Sequence, residues 1–221
     1  RVYTNSQATF LRTKFFNNHA GTNGGAVSFQ SNRPALVDGP SLVQDSEFNH
    51  NNASGTGGAM DVNTGFTALL VRNSLIHGNF AGESGGGLSG SLDAVITVEH
   101  SVMAHHAARK HGGGIHATDT SLTVLNSSVV GSVAGATGGG VSLAGATSSG
   151  AFFSTTFLLC NASTYGGAFA ASNDVRQLLI EDGAFSRCHV EEQGGAVWIA
   201  GNGVVRMTNT SFEDCSVGYS A

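Results

Sequence analysis

The chain has 221 residues, 40% of them hydrophobic and 11% charged, with 32 glycines, two prolines and a formal net charge of -5. That length suffices for a buried core and one or two domains, and so few charges and prolines beside so many glycines exclude a disordered or collagen-like chain. The acidic balance, with a pI near 5.9, excludes a nucleic-acid surface, which needs clustered Lys and Arg; no apolar run is long enough to span a membrane as a helix.

Taken from the N-terminus, the chain repeats one block. The first runs Phe10, Thr13, Phe15, Asn18, Ala20 and Gly24-Gly25-Ala26-Val27. The second runs Val43, Ser46, Phe48, Asn51, Ala53 and Gly57-Gly58-Ala59-Met60, and the third Val71, Ser74, Ile76, Asn79, Ala81 and Gly85 to Leu88. The fourth and fifth drift, with Met103 and Val129 at the phenylalanine position and His106 and Ser132 at the asparagine position. The sixth, seventh and eighth restore phenylalanine as Phe157, Phe185 and Phe212 but place Cys160, Cys188 and Cys215 where asparagine stood. Gly-Gly pairs begin at Gly24, Gly57, Gly85, Gly112, Gly138, Gly166 and Gly194, at intervals of 33, 28, 27, 26, 28 and 28 residues. The last block stops before such a pair.

After each pair apolar residues alternate with others, as Val27 and Phe29 do around Ser28 and Met60 and Val62 around Asp61. Period two marks a strand with one buried face, so Val27, Met60, Leu88, Ile115, Val141, Phe169 and Val197 are expected to stack inward. The alternate column of Ser28, Asp61, Ser89, His116, Ser142, Ala170 and Trp198 is expected to face outward. Paired glycines cost a helix about 1 kcal/mol each, and the Val, Phe, Thr and Ser columns favour strands, so a helical repeat fails; a leucine-rich horseshoe lacks its leucines. The expected fold is all-β: a right-handed parallel β-helix of about eight coils of roughly 28 residues, forming one segment over residues 1–221. Open solenoid ends expose backbone and core, and neither end carries an evident cap, so the segment is expected to belong to a longer chain.

Phe15 to Asn18 with Gly24-Gly25-Ala26-Val27, and Phe48 to Asn51 with Gly57-Gly58-Ala59-Met60, resemble the Phe-x-x-Asn and Gly-Gly-Ala-apolar repeats of the polymorphic outer membrane proteins. These are chlamydial autotransporter adhesins, with related repeats in other microbial surface proteins. The resemblance implies the β-helix and a cell-surface or extracellular adhesive role; its motif residues are structural.

Several side chains are candidates for chemistry. Asn18, Asn51 and Asn79 are expected to form an amide ladder that satisfies turn backbone. Cys160, Cys188 and Cys215 continue that column as buried thiols or as one disulfide, and three thiols a coil apart do not make a zinc signature. His50, His77 and His105 fall along one turn edge, where imidazoles either face solvent or bind a metal. Asn52, Asn126, Asn161 and Asn209 head Asn-x-Ser/Thr sequons, glycosylation sites in a secreting eukaryote. A polysaccharide-cleaving β-helix needs carboxylates converging from adjacent coils, and Asp93 with Asp119 are the near-register pair, with no basic residue beside them.

The leading expectation is therefore a structural or adhesive module whose partners are other surface or matrix proteins or glycans. It requires no catalytic residue, no cofactor, no metal, no nucleic acid and no membrane span in this segment. A carbohydrate-binding or carbohydrate-cleaving β-helix is the alternative, with Trp198 stacking on a sugar ring. Ice binding needs a regular outward threonine array, which the alternate column does not offer.

Overall fold

A computed structural model describes residues 2–3, 7–30, 39–63, 68–172 and 175–218. Among these residues the chain is all-β, with no helix. One coil shows the plan: strands Leu88–Ser91, Val95–Glu99, Val102–Ala104 and Ala107–Ala108 follow one another before the chain enters the next coil through Gly112-Gly113. Each strand pairs in parallel with its counterparts one coil away. Leu88 meets Met60 and Ile115, Val98 meets Val71 and Val124, Met103 meets Ile76 and Val129, and Ala108 meets Ala81 and Ala134.

The result is a parallel β-helix walled by four sheets of eight strands each, called sheets 1 to 4 in the order the coil visits them. It makes about six turns, fewer than the roughly eight coils that the motif count predicts. In each eight-stranded sheet the two end strands lack a neighbour on one side.

The core is a set of columns. On sheet 1, Val27, Met60, Leu88, Ile115, Val141, Phe169 and Val197 stand in unbroken register, the first six of them buried. On sheet 3, like residues stack face to face, with Phe15 on Phe48 at 4.5 Å, Phe157 on Phe185 at 4.7 Å and Phe185 on Phe212 at 5.0 Å. Offset-stacked rings of this kind add to the burial of their area. The sheet 4 column is small, and Ala53 and Ala81 are fully buried, because the entry turn of the neighbouring coil runs directly against it.

The corners explain the composition. Between sheets 2 and 3 stand Asp45, Asn73, His100 and Asn126, with φ of 51°, 47°, 48° and 45°, and between sheets 3 and 4 stand His50 and His105, at 53° and 55°. Asn, Asp and His are the non-glycine residues best tolerated in this left-handed region. The entry to sheet 1 is tighter. Gly57 has φ of 66°, and a Cβ there would strike the carbonyl of Met60 in its own strand. A Cβ on Gly58 would strike the carbonyls of Gly86 and Phe80 in the next coil. The first glycine is thus demanded by the turn and the second by the stacking.

The column expected to face outward on sheet 1 is instead covered. Ser28, Asp61, Ser89, Ser142 and Ala170 are all buried. The left-handed glycine folds the preceding residue back over the strand that follows it. Thr56 Oγ1 thereby donates to Asp61 Oδ1 at 2.7 Å, Thr137 Oγ1 meets Ser142 Oγ at 3.3 Å, and His111 stacks on His116 at 5.7 Å. His111, Thr137, Tyr165 and Gln193 also bridge to one another coil by coil, making a narrow cover strip over the sheet.

Candidate functional site

The asparagine column forms a bonded ladder. Asn51 Oδ1 accepts from the backbone N–H of Asn18 at 3.1 Å and from its side-chain amide at 2.8 Å, and Asn79 Oδ1 accepts from the same two groups of Asn51 at 2.8 and 2.9 Å. Asn51 Nδ2 donates to the Phe15 carbonyl and Asn79 Nδ2 to the Phe48 carbonyl. Downstream, His106 takes over the acceptor role, its Nδ1 receiving the Asn79 N–H at 3.1 Å. Such a bond needs an unprotonated Nδ1. Burial, aided by the charge of His77, holds the His106 pKa at about 3 and so keeps the ring neutral.

Cys160, Cys188 and Cys215 are free thiols. Their Sγ atoms point at the carbonyls of Val129, Phe157 and Phe185 at 3.4, 3.8 and 3.6 Å, the same phenylalanine-column carbonyls that the amides reach earlier in the chain. Cysteine therefore replaces asparagine as a weak donor with less to satisfy. The bond shared with Cys160, and then burial, pushes the Cys188 thiol up, which opposes nucleophilic chemistry there.

A second ladder lies at the corner between sheets 2 and 3, where the sequence offered only a column of small hydroxyl residues. Ser46, Ser74, Ser101 and Ser127 accept, through Oγ, the backbone N–H of the corresponding residue one coil earlier at 3.0–3.1 Å. Each hydroxyl donates to the carbonyl two residues before it, at 2.7–2.8 Å. The signal that could have revealed it is the left-handed residue immediately before each serine, which leaves that corner's backbone groups unpaired unless a side chain caps them.

The edge histidines lie in a row, with ring centroids of His50 and His77 5.8 Å apart and those of His77 and His105 5.3 Å apart, edge to face. Gly78 and Gly131 leave room for the rings of His50 and His105 from the coil before, since a Cβ at either glycine would touch them. Partial burial, followed by the charges of His105 and His50, lowers the pKa of His77. Among the described residues, no group of three or more His, Cys, Asp or Glu is arranged to hold a metal ion. Asp93 and Asp119 come together at the corner between sheets 1 and 2, where the Thr147 hydroxyl reaches Asp119 Oδ1 at 3.0 Å and Asp93 Oδ1 at 3.5 Å. Of the sequon asparagines, Asn126, Asn161 and Asn209 are exposed and Asn52 is half-buried.

The strip over sheet 1 is interrupted by a cleft of about 230 Å³. Ser142, Ala144 and Ser172 form its floor, His111 and His116 with Thr137 one wall, and Tyr165 with Trp198 the other. Tyr165 leans onto the next coil and stacks on Trp198 at 4.3 Å and 11°. Trp198, expected to be a free outward ring, thus has one face occupied by tyrosine.

Compared with family models, with curated proteins and with solved structures, the chain matches none. The class it belongs to is set by the fold alone: a parallel β-solenoid. Among the described residues no helix is long and apolar enough to cross a membrane.

Proposed function

We propose that the chain is a structural and adhesive module of a cell-surface or extracellular protein, a rod that presents its turns and outer strand faces to other surface or matrix proteins or glycans. One observation carries this reading. Inward columns are nearly uniform from coil to coil, whereas the outward column of the same sheet varies. On sheet 3 the inner series of Phe15, Phe48, Ile76 and Met103 alternates with an outer one of Lys14, Glu47, Leu75 and Val102. The asparagine and serine columns serve the coil's own backbone, and recognition falls to the exterior, as in other solenoids. The resemblance to polymorphic outer membrane protein repeats supports the same role and adds the expectation of a microbial surface.

Two neighbouring outer residues, Leu75 and Val102, are 40% and 41% exposed. Beads coated with the 221-residue chain should retain cells or matrix proteins above a heat-denatured control. The double variant Leu75→Asp with Val102→Asp, which touches no core column, tests whether this face contributes. Failure of the native chain to retain any surface, or cleavage of a polysaccharide by it, would overturn the reading.

A further inference from the structure

We propose that the cleft between the His111–His116 pair and the Tyr165–Trp198 pair is a binding site for a single neutral pyranose ring. It does not depend on the adhesive reading and is tested separately.

The walls differ in chemistry. Tyr165, backed by the stacked Trp198, supplies a flat aromatic surface of the kind that packs against the C–H face of a sugar. Opposite them, His116 Nε2 is paired with the Thr118 hydroxyl at 3.0 Å, while its Nδ1 is buried among the lining with no partner. The atom is closed to solvent in the unliganded chain, and a buried polar atom left unpaired costs about 1–3 kcal/mol, so a small shift of the wall that lets a ligand hydroxyl reach it removes that cost. Burial lowers the pKa of both imidazoles, that of His116 to about 4. At neutral pH the wall is therefore uncharged, and His116 Nδ1 can accept from, or donate to, a hydroxyl according to tautomer. On the floor and beside it, Thr137 Oγ1 meets His111 Nδ1 at 2.9 Å and Ser142 Oγ at 3.3 Å. Each hydroxyl keeps acceptor capacity for a second partner.

Charge and size narrow the ligand. The lining residues carry no Lys, Arg, Asp or Glu, so nothing there selects a uronate, a phosphate or an ammonium group. Asp119, at the corner beyond Ala144, is engaged by the Thr147 hydroxyl. A volume of about 230 Å³ is below the roughly 300–1,000 Å³ of sites for drug-sized molecules, which points to one ring rather than a chain of them. Along the cover strip Thr137 stands between His111 and Tyr165, one coil, about 4.8 Å, from each.

Trp198 is the chain's single tryptophan, so its fluorescence reports on this cleft alone. The intact 221-residue chain is titrated with the methyl pyranosides of glucose, galactose, mannose and N-acetylglucosamine, with glucuronate and adenosine as comparisons. The expected result is a saturable change with at least one neutral pyranoside, of roughly millimolar strength for so small a ligand, and none with glucuronate or adenosine. His116→Phe should weaken it at least tenfold, Tyr165→Ala likewise, and His50→Ala on the opposite edge should leave it unchanged. The absence of saturation by every pyranoside, a preference for adenosine, or undiminished binding in His116→Phe would overturn the proposal. Should either cleft variant fail to fold, the native titration and Ser142→Val decide it.

Discussion

At the scale of single residues, the asparagine and serine columns form a bonded scaffold inside the coils. Replacing Asn51 by Leu removes an acceptor from Asn18 and a donor from the Phe15 carbonyl at once. It should cost at least about 2 kcal/mol, read as a lowered urea midpoint. The buried ionisable groups give opposite pH dependences. The folded pKa of His106, at about 3, is below its ordinary 6.5, so its contribution is present above 6.5 and lost as pH falls from there towards 3. The folded pKa of Asp61 is raised by burial to about 6, so its contribution is present below 3.8 and lost as pH rises through 6. Melting curves from pH 4 to pH 8 should show Asp61→Asn more stable than the native chain above pH 6 and similar to it at pH 4. His106→Asn, which extends the amide ladder, should flatten the acid side, where the native slope reaches up to about 1.4 kcal/mol per pH unit.

At the scale of the strand and its corner, packing is decided by what the neighbouring coil presents. Phe157 is fully buried and stacked on Phe185, so Phe157→Ala opens a cavity that two fixed coils cannot close. A loss of about 3–5 kcal/mol by denaturant unfolding is expected. Gly58→Ala should be worse than its one methyl group suggests, since the Cβ meets backbone carbonyls of the next coil that cannot move without parting the sheets. A folded Gly58→Ala chain with an unchanged melting temperature would show that the coils are not stacked as described.

For the whole molecule, the energy is a sum over neighbouring coils, because each coil pairs only with the one before and the one after. Removing residues 138–165 joins Thr137 to Gly166 and deletes one 28-residue period, leaving every column continuous. The shortened chain should keep its β content per residue and lose stability in proportion. Removing half that length would place a sheet 1 segment beneath sheet 3 and should abolish cooperative unfolding by circular dichroism. The shortened chain also lacks Ser142 and Tyr165, so it should lose any pyranoside response while remaining folded.

The period and the register of the columns were legible in the sequence, with the inward face of the column after the glycine pair, because a stacked solenoid repeats its demands every coil and the glycine pair marks a place where neither the turn nor the neighbouring coil tolerates a Cβ. It also marked the asparagine column as one line, although not that cysteine would inherit its carbonyls. Only the tertiary structure decided what happens on the outer face of sheet 1. Period two implies one dry and one wet face, yet the same left-handed glycine that starts the strand folds the residue before it over the outer side, so Asp61 and Ser142 are buried and Tyr165 reaches Trp198 in another coil. Whether that cover is closed or leaves a cleft depends on the sizes of side chains 26–33 positions apart, a relation that alternation along a strand does not contain.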